Sequence, residues 1–361
     1  MTAHKVRVGI IGTGFGASVQ LPGFLAIKQC EVIGIASHDP KRSLELQKKF
    51  KLPMAFASPE ELIESDDIDL VSIVTAPADH QKLVSAAILA GKHVLCEKPF
   101  TMSVAAAKEL LKEANAGHII HAIDFEFREL PAFKFFMSRL MTGVTGRIVF
   151  AELKWIVGTW ADKKRPWRWQ CDKEQGGGIL TALGVHLYNL AESFLGTLDK
   201  VQATLGTTIT ERKDDDGKKK PVTSEDHATI DLKGKYEIPV RILLSNVDPK
   251  GAGLSVMVRG EKGVLLLESV SPEYGSRLQV REGTTADTAK VVYEDPEPPD
   301  GIDARIPPFQ ALAERLVIAI TDDDRTFGPS FQDGVRAQMF LEGVRASAEA
   351  RSWVDIGKAS K

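Results

Sequence analysis

The stretch that most constrains this chain lies near its start, where the apolar run Val6–Ile11 passes directly into "GTGFGA", residues 12–17. A strand followed at once by GxGxxA and then by an amphipathic segment predicts a strand–turn–helix opening a βαβ unit. Each small residue has a mechanical reason. Gly12 permits the tight turn, Gly14 removes a side chain where a pyrophosphate would approach the backbone, and Ala17 lets the helix sit close to the strand. The turn residues Thr13, Phe15 and Gly16 then bring backbone amides to the helix start, where they face phosphate oxygens. A dinucleotide site over Gly12–Ala17 is therefore expected.

The pattern that begins there continues. Short apolar runs, "VRVGII", "EVIGIA", "LVSIVT", "HVLCE" and "IIHAID", alternate with longer amphipathic segments up to about Asp124. That is the grammar of a parallel sheet with helical crossovers. "DHQKLVSAAILAGK" places Leu83, Ala87 and Ala90 on one helical face and stops at Gly91, a residue that readily takes the left-handed terminator conformation. With 361 residues the chain exceeds one ordinary core, and two domains are expected, residues 1–124 and 125–361, with the last helices able to return to the first.

Beyond Phe125 the grammar changes. "LPAFKFFMSRLMTG" and "GVHLYNLAESFLG" read as helices. "GRIVFAELKWIVG", "KVQATLGTTIT", "HATIDLKG", "PVRILLSNV", "LSVMVRG" and "GVLLLES" read as consecutive strands joined by short turns. The expected fold class is thus α/β, an N-terminal doubly wound parallel sheet followed by an α+β domain with a large open, mainly antiparallel sheet. Helices would cover one face of that second sheet and leave the other to solvent or a second subunit, so a homodimer or homotetramer is expected. The charged block "ERKDDDGKKKPVT", residues 211–223, reads as a solvated loop.

Composition narrows the function classes. A formal net charge of -3 offers no basic excess for phosphate backbones, which argues against nucleic acid and for a small-molecule partner. Cys30, Cys96 and Cys171 form no CxxC pair, so neither a disulfide framework nor a thiolate metal site is indicated, and a reducing cytoplasm is the expected setting. No run of about 18 apolar residues points to a membrane span.

The end of the second strand bears on the choice of cofactor. An acidic residue there usually takes a ribose 2′-hydroxyl, but "GIASHDPKR" puts Ser37 and His38 at that point, with Lys41 and Arg42 close behind. A hydroxyl with nearby cations suits a 2′-phosphate, which favours NADP over NAD, although Asp39 is within reach of a ribose.

A further anomaly is "VLCEKPF", Val94–Phe100, an apolar strand ending in Glu97, Lys98 and Pro99. Buried strand ends do not invite charge without a partner. At the carboxyl end of a parallel strand, where open α/β sheets bind ligands, Lys98 would face nicotinamide and substrate, and a cationic ring nearby would depress its pKa. Glu97 would hold the amine or touch the cofactor.

Taken together, GxGxxA, "VTAPADH", "AGKHVLCEKPFT", "FEFRELPAF", "GVTGRI", "RPWRWQCDKEQGGGILTALGVH" and "PSFQDGVRAQMFLEGVRAS" resemble the Gfo/Idh/MocA oxidoreductase family along nearly the whole chain. The resemblance implies a Rossmann domain joined to an α/β domain. The implied chemistry is hydride transfer between NAD(P) and a secondary alcohol or ketone of a sugar, cyclitol or dihydrodiol. By position it makes Lys98 the proton-transferring lysine. Thr75, Ala76 and Pro77 match the loop beneath the cofactor, His80 the histidine opening the next helix, and His186 the histidine near the reacting carbon.

The chain departs from the family pattern at Ala182, four residues before His186, where many members carry aspartate, and at Asn189, which replaces another frequent acid. The loss leaves more of the proton chemistry to Lys98. Arg128, Trp169 and Asp172 are the expected substrate-side residues, an aromatic face with hydrogen-bonding groups suited to a polyol. The alternative reading is a catalytically silent, nicotinamide-binding regulator of the same fold. The residues point to no metal.

Overall fold

The computed structural model describes residues 5–234, 236–273, 275–297 and 301–357. The chain divides into two compact units, one of Met1–Glu129 with Gly301–Gln338 and one of Leu130–Asp300 with Met339–Lys361.

In the first unit, strands β1 (Val6–Ile11), β2 (Cys30–Ala36), β3 (Met54–Ala55), β4 (Leu70–Ile73), β5 (His93–Cys96) and β6 (His121–Ile123) form a parallel sheet. Its order is β3-β2-β1-β4-β5-β6, the doubly wound Rossmann order. β4 is buried throughout and β1 nearly so, as expected of parallel strands covered on both faces. The two-residue β3 is too short to leave a periodic signal in the sequence.

Helices α1 (Leu21–Leu25), α2 (Pro40–Phe50), α3 (Pro59–Glu64), α4 (Pro77–Leu89) and α5 (Val104–Ala116) connect the strands. Their starts are written locally. Asp39 caps α2 by accepting from the Lys41 amide at 3.0 Å, Ser58 accepts from Glu61 at 3.1 Å, and Ser103 accepts from Ala106 at 3.2 Å. The helix after the glycine turn begins as one π turn, Gly16–Gln20, before Pro22 sits in the first turn of α1. A proline in that position loses no hydrogen bond that the helix needs.

Helix α8 (Ile306–Asp322) belongs to this unit although it is remote in sequence. Phe309, Leu312, Ala313, Leu316 and Val317 join the core of β1 and β2, and the Phe309 ring meets Phe24 edge-on at 5.2 Å. Each of the larger of these side chains, Ala313 apart, contributes about 1.5–3 kcal/mol on burial. A Cβ on Gly23 would stand 2.5 Å from the Phe309 ring, so α1 can approach α8 only with glycine there.

In the second unit, helices α6 (Pro131–Met141) and α7 (Val185–Leu195) accompany a nine-stranded sheet. Its strands are β7 (Ile148–Ile156), β8 (Leu198–Gly206), β11 (His227–Gly234), β12 (Val240–Ser245), β13 (Gly253–Gly260), β14 (Val264–Ser269), β15 (Leu278–Gly283), β16 (Lys290–Glu294) and β17 (Val354–Asp355). The order is β16-β15-β14-β13-β7-β12-β11-β8-β17, antiparallel except for the parallel pair β7–β12. Burial alternates along β7, where Ala151, Leu153 and Trp155 are inside while Glu152 and Lys154 are half exposed, the signature of a sheet covered on one face.

The charged block at 211–223 is more ordered than a solvated loop. Strands β9 (Glu211–Lys213) and β10 (Lys219–Pro221) pair as a hairpin around Gly217, with Asp214 accepting from the Asp216 and Lys218 amides. The division between the units falls within the last helix, α9 (Phe331–Ala350).

Candidate functional site

The carboxyl ends of four neighbouring strands stand level in the first unit. Ile11 pairs with Ile73, Ile73 with Cys96, and Cys96 with Ile123. The chain beyond each pairing carries the sequence-predicted residues: Gly12 after β1, Thr75–Pro77 after β4, Glu97 and Lys98 after β5, and Asp124 after β6. The order reverses between β1 and β4, where doubly wound sheets hold their ligands.

At the glycine turn Gly12 has φ +123°, and a Cβ there would lie 2.2 Å from the Val74 carbonyl oxygen. Only glycine fits. At Gly14 an added Cβ would meet no atom of the described residues within 4 Å, so none of them competes for that approach. Among the described residues the amides of Thr13, Gly14 and Phe15 donate to no protein acceptor, while Ala17 and Ser18 donate back to the Gly14 carbonyl. Gly16 packs against Ile10, and Ala17 joins the core. A bare backbone approach flanked by uncommitted amides is what a dinucleotide pyrophosphate requires, and these residues fit such a group.

At the end of β2, Ser37 Oγ donates to the Asp39 carbonyl at 2.8 Å and lies 3.3 Å from Ser43 Oγ. Asp39 itself is committed to capping α2. His38 and Arg42 are exposed, the first 3.9 Å from Asp79 and the second paired with Glu45 at 3.0 Å.

Thr75 Oγ1 turns onto the Ala76 carbonyl, and Pro77 occupies the first turn of α4. His80 is fully buried. Its Nδ1 lies 3.0 Å from the Pro99 oxygen and 3.3 Å from that of Phe100, and its Nε2 lies 3.2 Å from the Thr75 oxygen. It therefore staples the loop after β4 to the segment that follows Lys98. Burial lowers its pKa against the pull of these carbonyls. The Lys98–Pro99 peptide bond is cis.

The groups beside Lys98 that sequence reasoning did not find are carboxyls. Gln20 Nε2 donates to Glu97 Oε1 at 3.1 Å and to Asp124 Oδ2 at 2.9 Å, while Gln20 Oε1 accepts from Ser72 Oγ at 2.5 Å. Gln20, Ser72 and Asp124 are completely buried, and Glu126 nearly so. Burial pushes Asp124 well above the ordinary carboxylate range, reinforced by the charges of Glu97 and Glu126. Glu126 is raised to about 8, again first by burial and then by Glu97, with Lys98 opposing. Glu97 is raised by burial, while the charge of Lys98 pulls it down. The available signal was "IDFEFRE", in which acids interleave with the buried rings of Phe125 and Phe127.

Arg128 donates to Asp333 Oδ1 at 2.7 Å at the start of α9, with both side chains about a quarter exposed. Glu129, almost wholly buried, pairs with Arg315.

In the second unit His186 lies on α7, buried, with its ring 6.4 Å from that of Trp155 on β7; Asn189 is buried one turn further on. Ala182 is exposed and lines a pocket with Trp160, Gln170, Arg212, Glu225 and Asn246. Glu225 is buried, its carboxyl raised by desolvation although it accepts from the Leu180 amide at 3.2 Å. Gly178, at φ +114°, has no room for a Cβ, which would sit 2.3 Å from Glu225 Oε1. Asp172 accepts from the Glu174 amide, Gln175 Nε2 and Thr223 Oγ1, bonds that hold its pKa down and make it the organiser of the turn ending at Gly176. Trp169 opens that turn, half-buried.

Two family models match the chain. One, described as "Oxidoreductase family, NAD-binding Rossmann fold", covers residues 6–125, and the other, "Oxidoreductase family, C-terminal alpha/beta domain", covers residues 138–356. An uncharacterized oxidoreductase of Synechocystis sp. is 32% identical, over 98% of this chain and 96% of its own. Levoglucosan dehydrogenase of Pseudarthrobacter phenanthrenivorans is 25% identical, over 99% of this chain and all of its own. The solved structure of a levoglucosan dehydrogenase in complex with NADH and L-sorbose shares the fold at TM-score 0.86 and 24% identity, covering 98% of this chain and 99% of the other.

Proposed function

The chain belongs to the Gfo/Idh/MocA oxidoreductase family, and from that premise we propose that it is a nicotinamide-dependent dehydrogenase acting on a secondary alcohol, or its ketone, of a sugar-like polyol. The observation that carries the reading is the level row of strand ends in the first unit, with the Gly12–Ala17 turn on β1 and Lys98 two strands away on β5. The polyol class is supported by the similarity to levoglucosan dehydrogenase, the nicotinamide by the family's NAD-binding domain.

When bound, the nicotinamide supplies the hydride acceptor or donor. The chain's part is to hold and to move a proton. Gly12, Gly14 and the amides of Thr13, Phe15 and Gly16 would hold the pyrophosphate, and the Thr75–Pro77 loop with Glu97 would line the nicotinamide end. Lys98 is assigned the proton of the reacting hydroxyl, worth about 10²–10⁴-fold in rate. His186 is assigned a substrate or acid–base role from the family motif. With Ala182 in place of an acid, Glu225 and Asn246 are among the polar groups that share its pocket, with Gln170, Arg212 and Asp226. Arg128, Trp169 and Asp172 are the proposed substrate-side residues, Arg128 also pairing with Asp333 and Asp172 also organising the Gly176 turn.

Ser37 followed by the cations Lys41 and Arg42 favours NADP over NAD. The open face of the nine-stranded sheet is the proposed contact of a homodimer or homotetramer.

The test follows absorbance of the reduced cofactor with NADP and with NAD across sugars, inositols and dihydrodiols. Turnover lost in Lys98→Ala with cofactor affinity kept supports the enzyme. Tight cofactor binding without turnover on every substrate would replace it with a ligand-responsive regulator, and a clear kcat/KM advantage for NAD would reverse the cofactor preference.

A further inference from the structure

Glu97 and Asp124 stand one residue past the paired positions Cys96 and Ile123 on adjacent parallel strands, so they occupy the same level of the sheet edge. In-register residues on neighbouring strands point to the same face, and the amide of Gln20 draws the two carboxyls together. The Gln20 orientation is set by Ser72, whose hydroxyl donates to Gln20 Oε1, so both Nε2 hydrogens are spent, one on each acid. Glu97 Oε2 accepts from the Lys98 amide at 3.2 Å. Three of the four carboxyl oxygens therefore receive an N–H. The fourth, Asp124 Oδ1, is buried, and among the described residues no donor reaches it.

Two charged carboxylates in this position would leave a bare, desolvated oxygen facing a second anion, an arrangement that buried sites avoid. A proton on Asp124 Oδ1 directed at Glu97 removes both difficulties: the orphan oxygen becomes a donor, and the pair carries one charge. We propose that Asp124 is a neutral acid at neutral pH which donates its proton to Glu97, and that it is a positioning residue for the proton chemistry of Lys98, fixing Glu97 as a single, oriented counter-charge beside the lysine. The second half rests on the dehydrogenase reading; the first does not. The charged and titratable groups facing the pair are Lys98 and Glu126, with the Cys96 thiol on the strand before Glu97 and Arg305 acting on Glu126. Burial raises the Asp124 carboxyl above its ordinary range, in accord with the geometry.

The conservative variant Asp124→Asn reproduces the neutral acid permanently, since its amide oxygen can accept from Gln20 and its amide nitrogen can donate to Glu97. The measurements use the full chain without cofactor. In the infrared spectrum at neutral pH, where Glu126 contributes a protonated-carboxyl band to both proteins, wild type shows additional protonated-carboxyl absorbance that Asp124→Asn lacks. A carboxyl whose folded pKa is raised costs stability as pH climbs from its unfolded value toward its folded one. The melting temperature of Asp124→Asn therefore gains on wild type by about 2 °C per pH unit above roughly pH 4. Asp124→Ala, which can neither accept nor donate, melts below both.

An infrared spectrum identical in wild type and Asp124→Asn, or a melting difference flat with pH, overturns the proton assignment whatever the enzyme does. For the positioning role, Asp124→Asn should move the alkaline limb of kcat to higher pH while KM for the cofactor stays within about threefold. An unmoved limb overturns that role. Failure to find any turnover sinks the dehydrogenase reading and the positioning role with it, while the proton assignment stands on the spectrum and the melting curves.

Discussion

His80 sets its Nδ1 3.0 Å from the main-chain oxygen of Pro99, the residue after Lys98. The contact matters because the ring is completely buried and its other nitrogen faces Thr75, so one imidazole spans two of the strand-end loops. A histidine that would pass for a helix-start surface residue is instead an internal brace.

Replacing it should be costly. His80→Ala leaves the carbonyls of Thr75 and Pro99 without their shared partner and opens a cavity, and we expect a loss of about 2–4 kcal/mol in urea-melt stability. On the dehydrogenase reading kcat should fall further than the cofactor KM rises, because the loosened element carries Lys98. An unchanged melt would show that the brace contributes nothing.

The two fingerprint glycines should separate folding from binding. Gly12→Ala forces a Cβ to within 2.2 Å of the Val74 oxygen at positive φ, and we expect about 2–4 kcal/mol of destabilisation. Gly14→Ala meets none of the described residues within 4 Å, so its melting temperature should match wild type while affinity for NADP or NAD, read by fluorescence titration, drops about tenfold or more. Equal nucleotide binding by Gly14→Ala would place the pyrophosphate elsewhere.

Lys98→Met tests the proton role without adding charge. The predicted outcome is kcat lower by about 10²–10⁴-fold with the dissociation constant of the reduced cofactor little changed. A kcat within a few-fold of wild type would remove Lys98 from the chemistry.

Acid sensitivity should trace to His121 and His93. His121 Nδ1 accepts the Phe331 amide at 3.2 Å and its ring stacks on Phe331 at 4.5 Å, while His93 Nδ1 accepts the Ile120 amide at 3.0 Å. Both must be neutral to accept, and burial lowers both, His121 to about 4. Folded pKa values below the unfolded value mean that stability is intact above roughly pH 6.5 and is lost as pH falls through that range. For His121 the loss is on the order of 2–3 kcal/mol by pH 4. In urea melts run from neutral to acid pH, the stability of wild type relative to His121→Gln should decline over this interval, and a constant difference would refute the assignment.

The sequence by itself determined the features whose cause is local. The strand–turn–helix at Val6–Ala17, the helix stop at Gly91 and the change from parallel to antiparallel grammar near residue 125 all follow from spacing within a few residues, where steric limits and backbone hydrogen bonding act. Motif likeness, not periodicity, is what singled out Lys98 and His186 as candidates. The two-residue β3 and the hairpin inside the charged block escaped because two or three residues hold no period.

What only the tertiary structure decided is which polar groups share a buried space. Gln20 meets Asp124 across 104 positions and Arg128 meets Asp333 across 205, while Gly178 is required by the Glu225 carboxyl. Those pairings arise where strand ends are brought level and a remote helix returns to the core. The free energy of a charge depends on its surroundings after desolvation, and its neighbours along the chain do not specify those surroundings.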